Sequence, residues 1–352
     1  MAVFSVIGGL DRICGNRLGL GKAYENGIIT MGELALSMTG FMVLAPVIAR
    51  VCTPFISPVY ELIGADPAVF AGSFLACDMG GAQLANQLTS DSGAANLSGI
   101  VIASMLGSTV SFTIPIAVSS LSPADKTFAA KGILCGLVTI PVGIVAGGLT
   151  AGLPIKMILL NTVPVLVLSL VIALGLWKAE KVIIKAFEIF GWFIMALSTF
   201  GIVSAGIELT TGYTVIKGLD SIENAFVVIG QIAIVLTGAL PLIIVIQKVL
   251  SKPIDKIGKK LNMNSTSVAG LIATLANSVA TFGMVKDMDE RGKVANMAFA
   301  VSGAFVFGDH LAFTAGYNSE MLPALIVGKL TAGILSVVLA LLMCSDKKKK
   351  TA

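Results

Sequence analysis

From residue 28 to residue 344 the chain is a succession of apolar stretches, each long enough to cross a bilayer, joined by short polar connections. A hydrocarbon core about 30 Å thick takes about 20 helical residues. Stretches 28–50, 97–121, 128–149, 155–177, 186–209, 225–249, 294–317 and 322–344 meet that length. With 56% hydrophobic and only 12% charged residues, and a mean hydropathy of +0.93, the chain lies far outside the soluble range. The expected fold is therefore all-α, a polytopic transmembrane helical bundle with no soluble domain. The net charge of +4 comes from basic loops and a lysine tail. It reports orientation in a lipid bilayer and implies no nucleic-acid partner. The five cysteines show no CxxC or Cys/His spacing, so neither a metal site nor a disulfide framework is expected, and no cofactor motif is present. The glycines near Lys22 imitate a phosphate loop, but Gly15 and Gly21 are one residue too far apart and Ala23 stands where Ser or Thr is required. The apolar start, residues 1–10, is too short to span and lacks the features of a signal peptide, so it reads as the end of a first helix.

One further stretch, residues 68–88, carries a carboxylate at its centre, within AGSFLACDMGG (71–81). An acid at mid-membrane depth costs about 2.5–3.5 kcal/mol on insertion scales, so such a group usually faces a cavity and handles a ligand or ion. Asp78 and Met79 are followed by Gly80 and Gly81, which remove helix preference. A helix broken at membrane depth, with free backbone groups beside the acid, is expected. The competing reading is a kinked helix whose Asp78 is capped internally.

Residues 29–39 (ITMGELALSMT) resemble residues 227–237 (VVIGQIAIVLT), 198 positions further on. The register holds across later segments, with a three-residue shift in the charged loop 287–293. It sets Cys77-Asp78-Met79-Gly80 against Leu275-Ala276-Asn277-Ser278 and Gly107 against Gly308. Residues 265–285 thus read as a second interrupted helix, with Thr274 and Asn277 as candidate lining groups. The basic loops 12–22, 178–185 and 248–260 and the lysines at 347–350 should share the cytoplasmic side. They do so only if 68–88 and 265–285 are re-entrant, which makes the two repeats inverted, an architecture of secondary transporters. The chain then divides into repeat 1 (about 28–150), a linking helix (155–177) and repeat 2 (about 186–344, best matched over 225–344). Residues 345–352 form a basic cytoplasmic tail. All belong to one integral membrane domain of residues 1–352.

Gly308-Asp309-His310 puts another acid and the only histidine of the chain in stretch 294–317. A structural pair and a proton- or cation-handling pair are both consistent with it. In the repeat frame Ser108 and Thr109 fall near Asp309. Phe70, Phe74, Phe282 and Phe307 are read as packing residues, with a cation-facing role as the alternative.

Long blocks of the chain closely resemble one family. They are MGELALSMTG (31–40), SPVYELIGADPAVFAGSFLACDMGG (57–81), LNMNSTSVAGLIATLANS (261–278), MDERGKVANMAFAVS (288–302) and GDH (308–310). From about residue 10 to residue 342 the chain is similar to the EutH family of ethanolamine permeases. The resemblance implies a multi-pass protein of the cytoplasmic membrane that takes up ethanolamine for its breakdown, not an enzyme. The start and the segments after Gly152 and Thr210 look shorter than the family pattern. For the site, the reading joins Asp78, Met79, Gly80, Gly81, Thr274, Asn277, Asp309 and His310 around protonated ethanolamine, with His310 biasing Asp309. H⁺ or Na⁺ coupling and the oligomeric state stay open. The other classes considered are a membrane anchor for ethanolamine-utilisation proteins and a carrier of another small amine or polar solute.

Overall fold

The computed structural model describes residues 1–345, which are mainly helical with no strand among them. Seven of the helices are long and apolar enough to cross a membrane. The basic tail expected on the cytoplasmic side begins at the edge of the described residues, and its lysines lie outside them. Large apolar side chains point outward from the middle of the chain, among them Leu166 and Leu170, and Trp192 and Phe193. Contiguous outward-facing apolar surface of this kind suits lipid rather than water.

Helix α1 (Ala2–Ile13) folds back on α2 (Leu20–Ile29). Asp11 accepts hydrogen bonds from the backbone N–H groups of Leu18, Leu20 and Gly21 at 2.8–2.9 Å, satisfying donors that a helix start leaves free. The basic loop expected over residues 12–22 is thus a tight corner whose end is already helical. Helix α3 (Met31–Leu62) continues to Leu62 through Pro46, Pro54 and Pro58, past residue 50 where the spanning stretch was expected to end. Each proline removes one N–H, but an apolar medium offers the remaining backbone groups no partner except the helix. The Thr53 hydroxyl adds a bond to the Ala49 carbonyl at 2.7 Å, beside the second proline.

After the corner come two short helices, α4 (Ala68–Phe74) and α5 (Gly81–Leu88), separated by extended Leu75 and Ala76 and a 3₁₀ turn over Cys77–Met79. Helix α6 (Ser92–Asn96) leads into π-wound turns over Leu97–Gly107 and Thr109–Thr113 and then into α7 (Ile114–Ser120). Helix α8 (Pro123–Thr150) and α9 (Ile155–Lys178) follow. The expected basic loop at 178–185 is a single corner at Ala179 before α10 (Glu180–Thr211). Helix α11 (Ile222–Lys260) absorbs the basic stretch 248–260 as its own end.

The second interrupted pair is α12 (Ser265–Ala276) and α13 (Ser278–Met284), broken at extended Asn277. The next stretch departs from expectation. Residues 294–317 were expected to be one span, but α14 (Glu290–Ser302) stops, residues 303–308 run without helix, and α15 (Asp309–Tyr317) begins anew. Phe305 takes a left-handed conformation (φ 62°), and its N–H and that of Phe307 donate to the Thr274 and Leu275 carbonyls at 3.1 and 2.9 Å. The peptide leaves its helix to satisfy the freed end of α12. Gly303 packs on Gly333 of α16 (Leu322–Ser345), and His310 reaches Lys329 on the same helix. Helices α14 and α15 therefore run in one direction as halves of an interrupted span.

Helices paired by the 198–201-residue offset pack against each other in opposite directions. Gly27, at the end of α2, meets Thr237 of α11, whereas Val43 of α3 accepts from the N–H of Asp220 just before α11. Likewise Gly143 and Gly147 of α8 meet Gly328 and Ala324 of α16. The contacts in this second seam are backbone on backbone, as small residues permit.

Candidate functional site

The breaks converge on one cavity of about 300 Å³, lined among others by Glu33 and Ser37 of α3, Asp78, Met79, Ser108, Phe112, Asn277, Phe305, Asp309 and His310. Its rim is formed by exposed Glu33, Asn277 and Val279, and His310 is buried at its floor. Two devices hold the breaks open. At the first, Gly80 adopts φ +89°, and a Cβ there would lie 2.3 Å from Cβ of Phe41. The Ala76 N–H finds the Ser111 hydroxyl, and the Ala76 carbonyl accepts from Met79 and Gly81. At both breaks a glycine from the following segment presses against a freed carbonyl. A Cβ on Gly107 would lie 2.0 Å from the Leu75 oxygen, and one on Gly308 2.1 Å from the Ala276 oxygen.

The polar groups of the floor form a short chain. The Lys329 amine donates to the Ser104 carbonyl at 2.5 Å and to His310 Nδ1 at 3.1 Å. As an ammonium Lys329 can only donate, which makes Nδ1 the acceptor and puts the ring hydrogen on Nε2. Nε2 faces Asp78 Oδ1 at 3.7 Å, beyond hydrogen-bonding range. That oxygen is shielded and has no hydrogen-bond partner among the described residues. Phe305 packs at a tilt against His310 with centroids 5.1 Å apart and meets Phe112 edge-on at 5.4 Å, fixing the imidazole. Asp309 is the first residue of α15 and Asp78 lies just ahead of α5, so both carboxylates sit at positive helix ends. Cys77, Asp78 and His310 offer ligand atoms within 4.8 Å of one another, a spacing compatible with one small cation.

Of the residues singled out in the sequence, Asp78, Met79, Asn277, Asp309 and His310 meet at this cavity. Gly80 and Gly81 shape the break without lining it. Thr274 does not belong to it: its hydroxyl bonds the Gly270 carbonyl and pairs with Thr281 in the interior. The expected Asp309–His310 pairing is replaced by His310 with Asp78 and Lys329, because consecutive helical residues point about 100° apart. Phe70 and Phe74 pack together with Phe190, away from the cavity, and the aromatic walls are Phe112 and Phe305. Ser108 lines the cavity, while Thr109 bonds the Met105 and Val301 carbonyls. Glu33 and Lys329 were missed by the sequence reading. Lys329 carried a usable signal, a lone cation mid-way along an apolar helix, which calls for a partner.

An all-helical chain with spanning helices, and a carboxylate-lined cavity at their breaks, defines a polytopic membrane protein of the transporter class. Residues 1–343 match the family described as "Ethanolamine utilisation protein, EutH". The chain belongs to that family. It is 46% identical over 350 residues to a protein of Listeria monocytogenes named "Probable ethanolamine permease EutH", covering 99% of this chain and 94% of that one. A protein of the same name from Escherichia coli is 42% identical over 369 residues, covering 97% and 90%. A Bacillus subtilis relative, "Uncharacterized protein YxeR", is 42% identical over 350 residues, covering 99% and 95%. No solved structure matches the chain.

Proposed function

We propose that this chain is a permease that takes up ethanolamine in its protonated form across the cytoplasmic membrane, with Asp78 as the main counter-charge. The observation that carries the proposal is the unpartnered Asp78 oxygen facing a cavity that also holds Glu33 and Asp309. Neutral ethanolamine is small enough to leak through lipid, whereas its ammonium must shed a costly hydration shell. Three donors on that ammonium match the unpartnered oxygen of Asp78, Asp309 and the Ser108 hydroxyl. The Asn277 amide and Ser37 remain for the substrate hydroxyl. A membrane anchor has no use for three acids around one cavity, and a carrier of another small amine is the reading the experiment must separate.

The antiparallel packing of α3 on α11 and of α8 on α16 supports inverted repeats, since duplicated helices inserted in the same orientation would run parallel. In that topology the segments at 68–88 and 265–285 enter from opposite faces. Single cysteines at Asp66 and Asp91 should then react from outside, and those at Asn264 and Lys286 from the cytoplasm. Labelling of either pair from two sides would refute the topology.

The test of function is uptake of labelled ethanolamine into proteoliposomes, with and without an imposed H⁺ or Na⁺ gradient and in competition with other small amines. Saturable uptake selective for ethanolamine is expected. Equal uptake of unrelated amines, or none above protein-free vesicles, would defeat the proposal.

A further inference from the structure

A second polar pocket, of about 160 Å³, lies further along the same three elements that line the first cavity. Helix α3 gives Ser37 to the first cavity and Met42 to the second. The first broken segment gives Met79 and then Gln83, and α15 gives His310 and then Tyr317. All three run from one cavity toward the other, so the two spaces are stacked along one path. Between them lies a dry layer of Met38, Ala82 and Phe313, each at most 2% exposed. Tyr317 stacks on Phe313 with centroids 5.1 Å apart, and Asn86 Nδ2 donates to its hydroxyl, which also reaches the Ala82 carbonyl at 3.5 Å.

The rim of the second pocket is exposed at Asn86, Asp220 and Ser221. Asp220 Oδ1 is oriented by the Ser221 N–H at 2.7 Å and the Asn224 amide at 3.1 Å. Deeper in, the Gln83 amide has both its nitrogen and its oxygen shielded and without a hydrogen-bond partner among the described residues. Leaving a buried polar group unpaired costs about 1–3 kcal/mol, so an amide with both ends open calls for an occupant. A primary alcohol carries one donor and one acceptor and satisfies both.

We propose that this pocket is a second binding station for the amino alcohol, on the opposite side of the dry layer from Asp78. Asp220 faces the ammonium, Gln83 holds the hydroxyl, and the Asn86–Tyr317 bond latches the layer between the stations. The inference rests on the permease reading above and adds a place where substrate waits before or after the carboxylate cavity.

The test is uptake kinetics in proteoliposomes with Gln83→Leu, which keeps bulk and removes both polar ends. A KM raised roughly tenfold with little change in maximal rate is expected, as for the loss of one hydrogen bond to substrate. Independently of that variant's folding, Ser221→Cys at the exposed rim, in a cysteine-free background, should be modified by an impermeant thiol reagent from one membrane face. Ethanolamine should slow that reaction, and Ser37→Cys should react from the other face. An unaltered KM in Gln83→Leu together with no protection of Ser221→Cys overturns the second station alone. Absence of ethanolamine uptake by the wild-type protein would remove the substrate reading and this station with it.

Discussion

The Lys329 amine lies 3.1 Å from Nδ1 of His310, whose Nε2 faces Asp78 Oδ1 at 3.7 Å, although Asp78 comes from a distant part of the chain. The lysine is 1% exposed, so the link runs entirely inside the helical bundle. It orients the ring so that Nε2 faces Asp78, whose Oδ1 keeps no hydrogen-bond partner among the described residues.

Lys329→Met should therefore weaken the site without touching substrate. With Nδ1 free, His310 loses both its tautomer and its orientation, and initial uptake should fall by roughly tenfold or more, about the effect of losing one buried charge-assisted hydrogen bond. Lys329→Arg should not restore it, since a planar fork does not fit a point-donor site. Uptake assays on membranes with matched protein levels decide this, and wild-type rates in Lys329→Met would assign the lysine to packing alone.

Asp78→Asn keeps size and removes the counter-charge. It should abolish ethanolamine uptake at acidic pH, where neutral leak is scarce, while the protein still reaches the membrane. Asp309→Asn should be milder, because Asp78 and Glu33 remain in the cavity. Wild-type uptake by a well-expressed Asp78→Asn protein would show that the acid is structural.

His310→Gln offers a nitrogen and an oxygen but cannot link Lys329 to Asp78 through opposite ring positions. Uptake should drop and its pH profile should change shape. A profile and rate identical to wild type would exclude a functional link.

Gly308→Val drives side-chain atoms into the Ala276 carbonyl, already 2.1 Å from where a Cβ would stand. Overpacking of this kind costs about 1–3 kcal/mol or more. The detergent-solubilised protein should melt at lower temperature than wild type, whereas Gly230→Ala, with open space around it, should not.

Outside the spans, Asp289 ties the start of α12 to that of α14, accepting from the Ser267 hydroxyl at 2.6 Å and from the N–H groups of Asn264 and Gly292 at 2.8 and 3.1 Å. Partial burial pushes its carboxyl up, but these bonds outweigh it and hold it below the usual carboxylate value. A lowered value contributes stability above the unfolded pKa that is lost as pH falls through the folded one. Melting should thus become easier on strong acidification, and Asp289→Asn should flatten that acid limb. An unchanged limb would assign the acid sensitivity to other carboxylates.

The length of the apolar stretches made the helical bundle legible, because a bilayer admits few other solutions. The break at Asp78 was legible too, since an acid followed by two glycines is a poor spanning helix. The break at 303–308 was not, because AFVFG is as apolar as the helix it interrupts, and its cause lies in carbonyls of α12 some 30 residues away. The continuation of α3 past residue 50 was not legible either: its prolines discourage helix in water, and lipid removes the alternative. Glu33 lies in the first turn of α3, near the end of an apolar stretch, where an acid does not stand out. Lys329 was diluted by an otherwise apolar helix, and the orientation of His310 depends on a helix phase that adjacency in sequence does not reveal.

The position of Lys329 also bears on how the protein is made. A lysine at mid-span resists entry into lipid by about 2.5–3.5 kcal/mol. Its partners, the Ser104 carbonyl and the His310 ring, both lie in segments synthesised before α16. Helix α16 thus settles poorly alone and gains its place only when the earlier segments already stand in the membrane. Assembly in that order makes α16 the closing piece, and a chain whose amino-terminal part has misfolded has nowhere to lodge it.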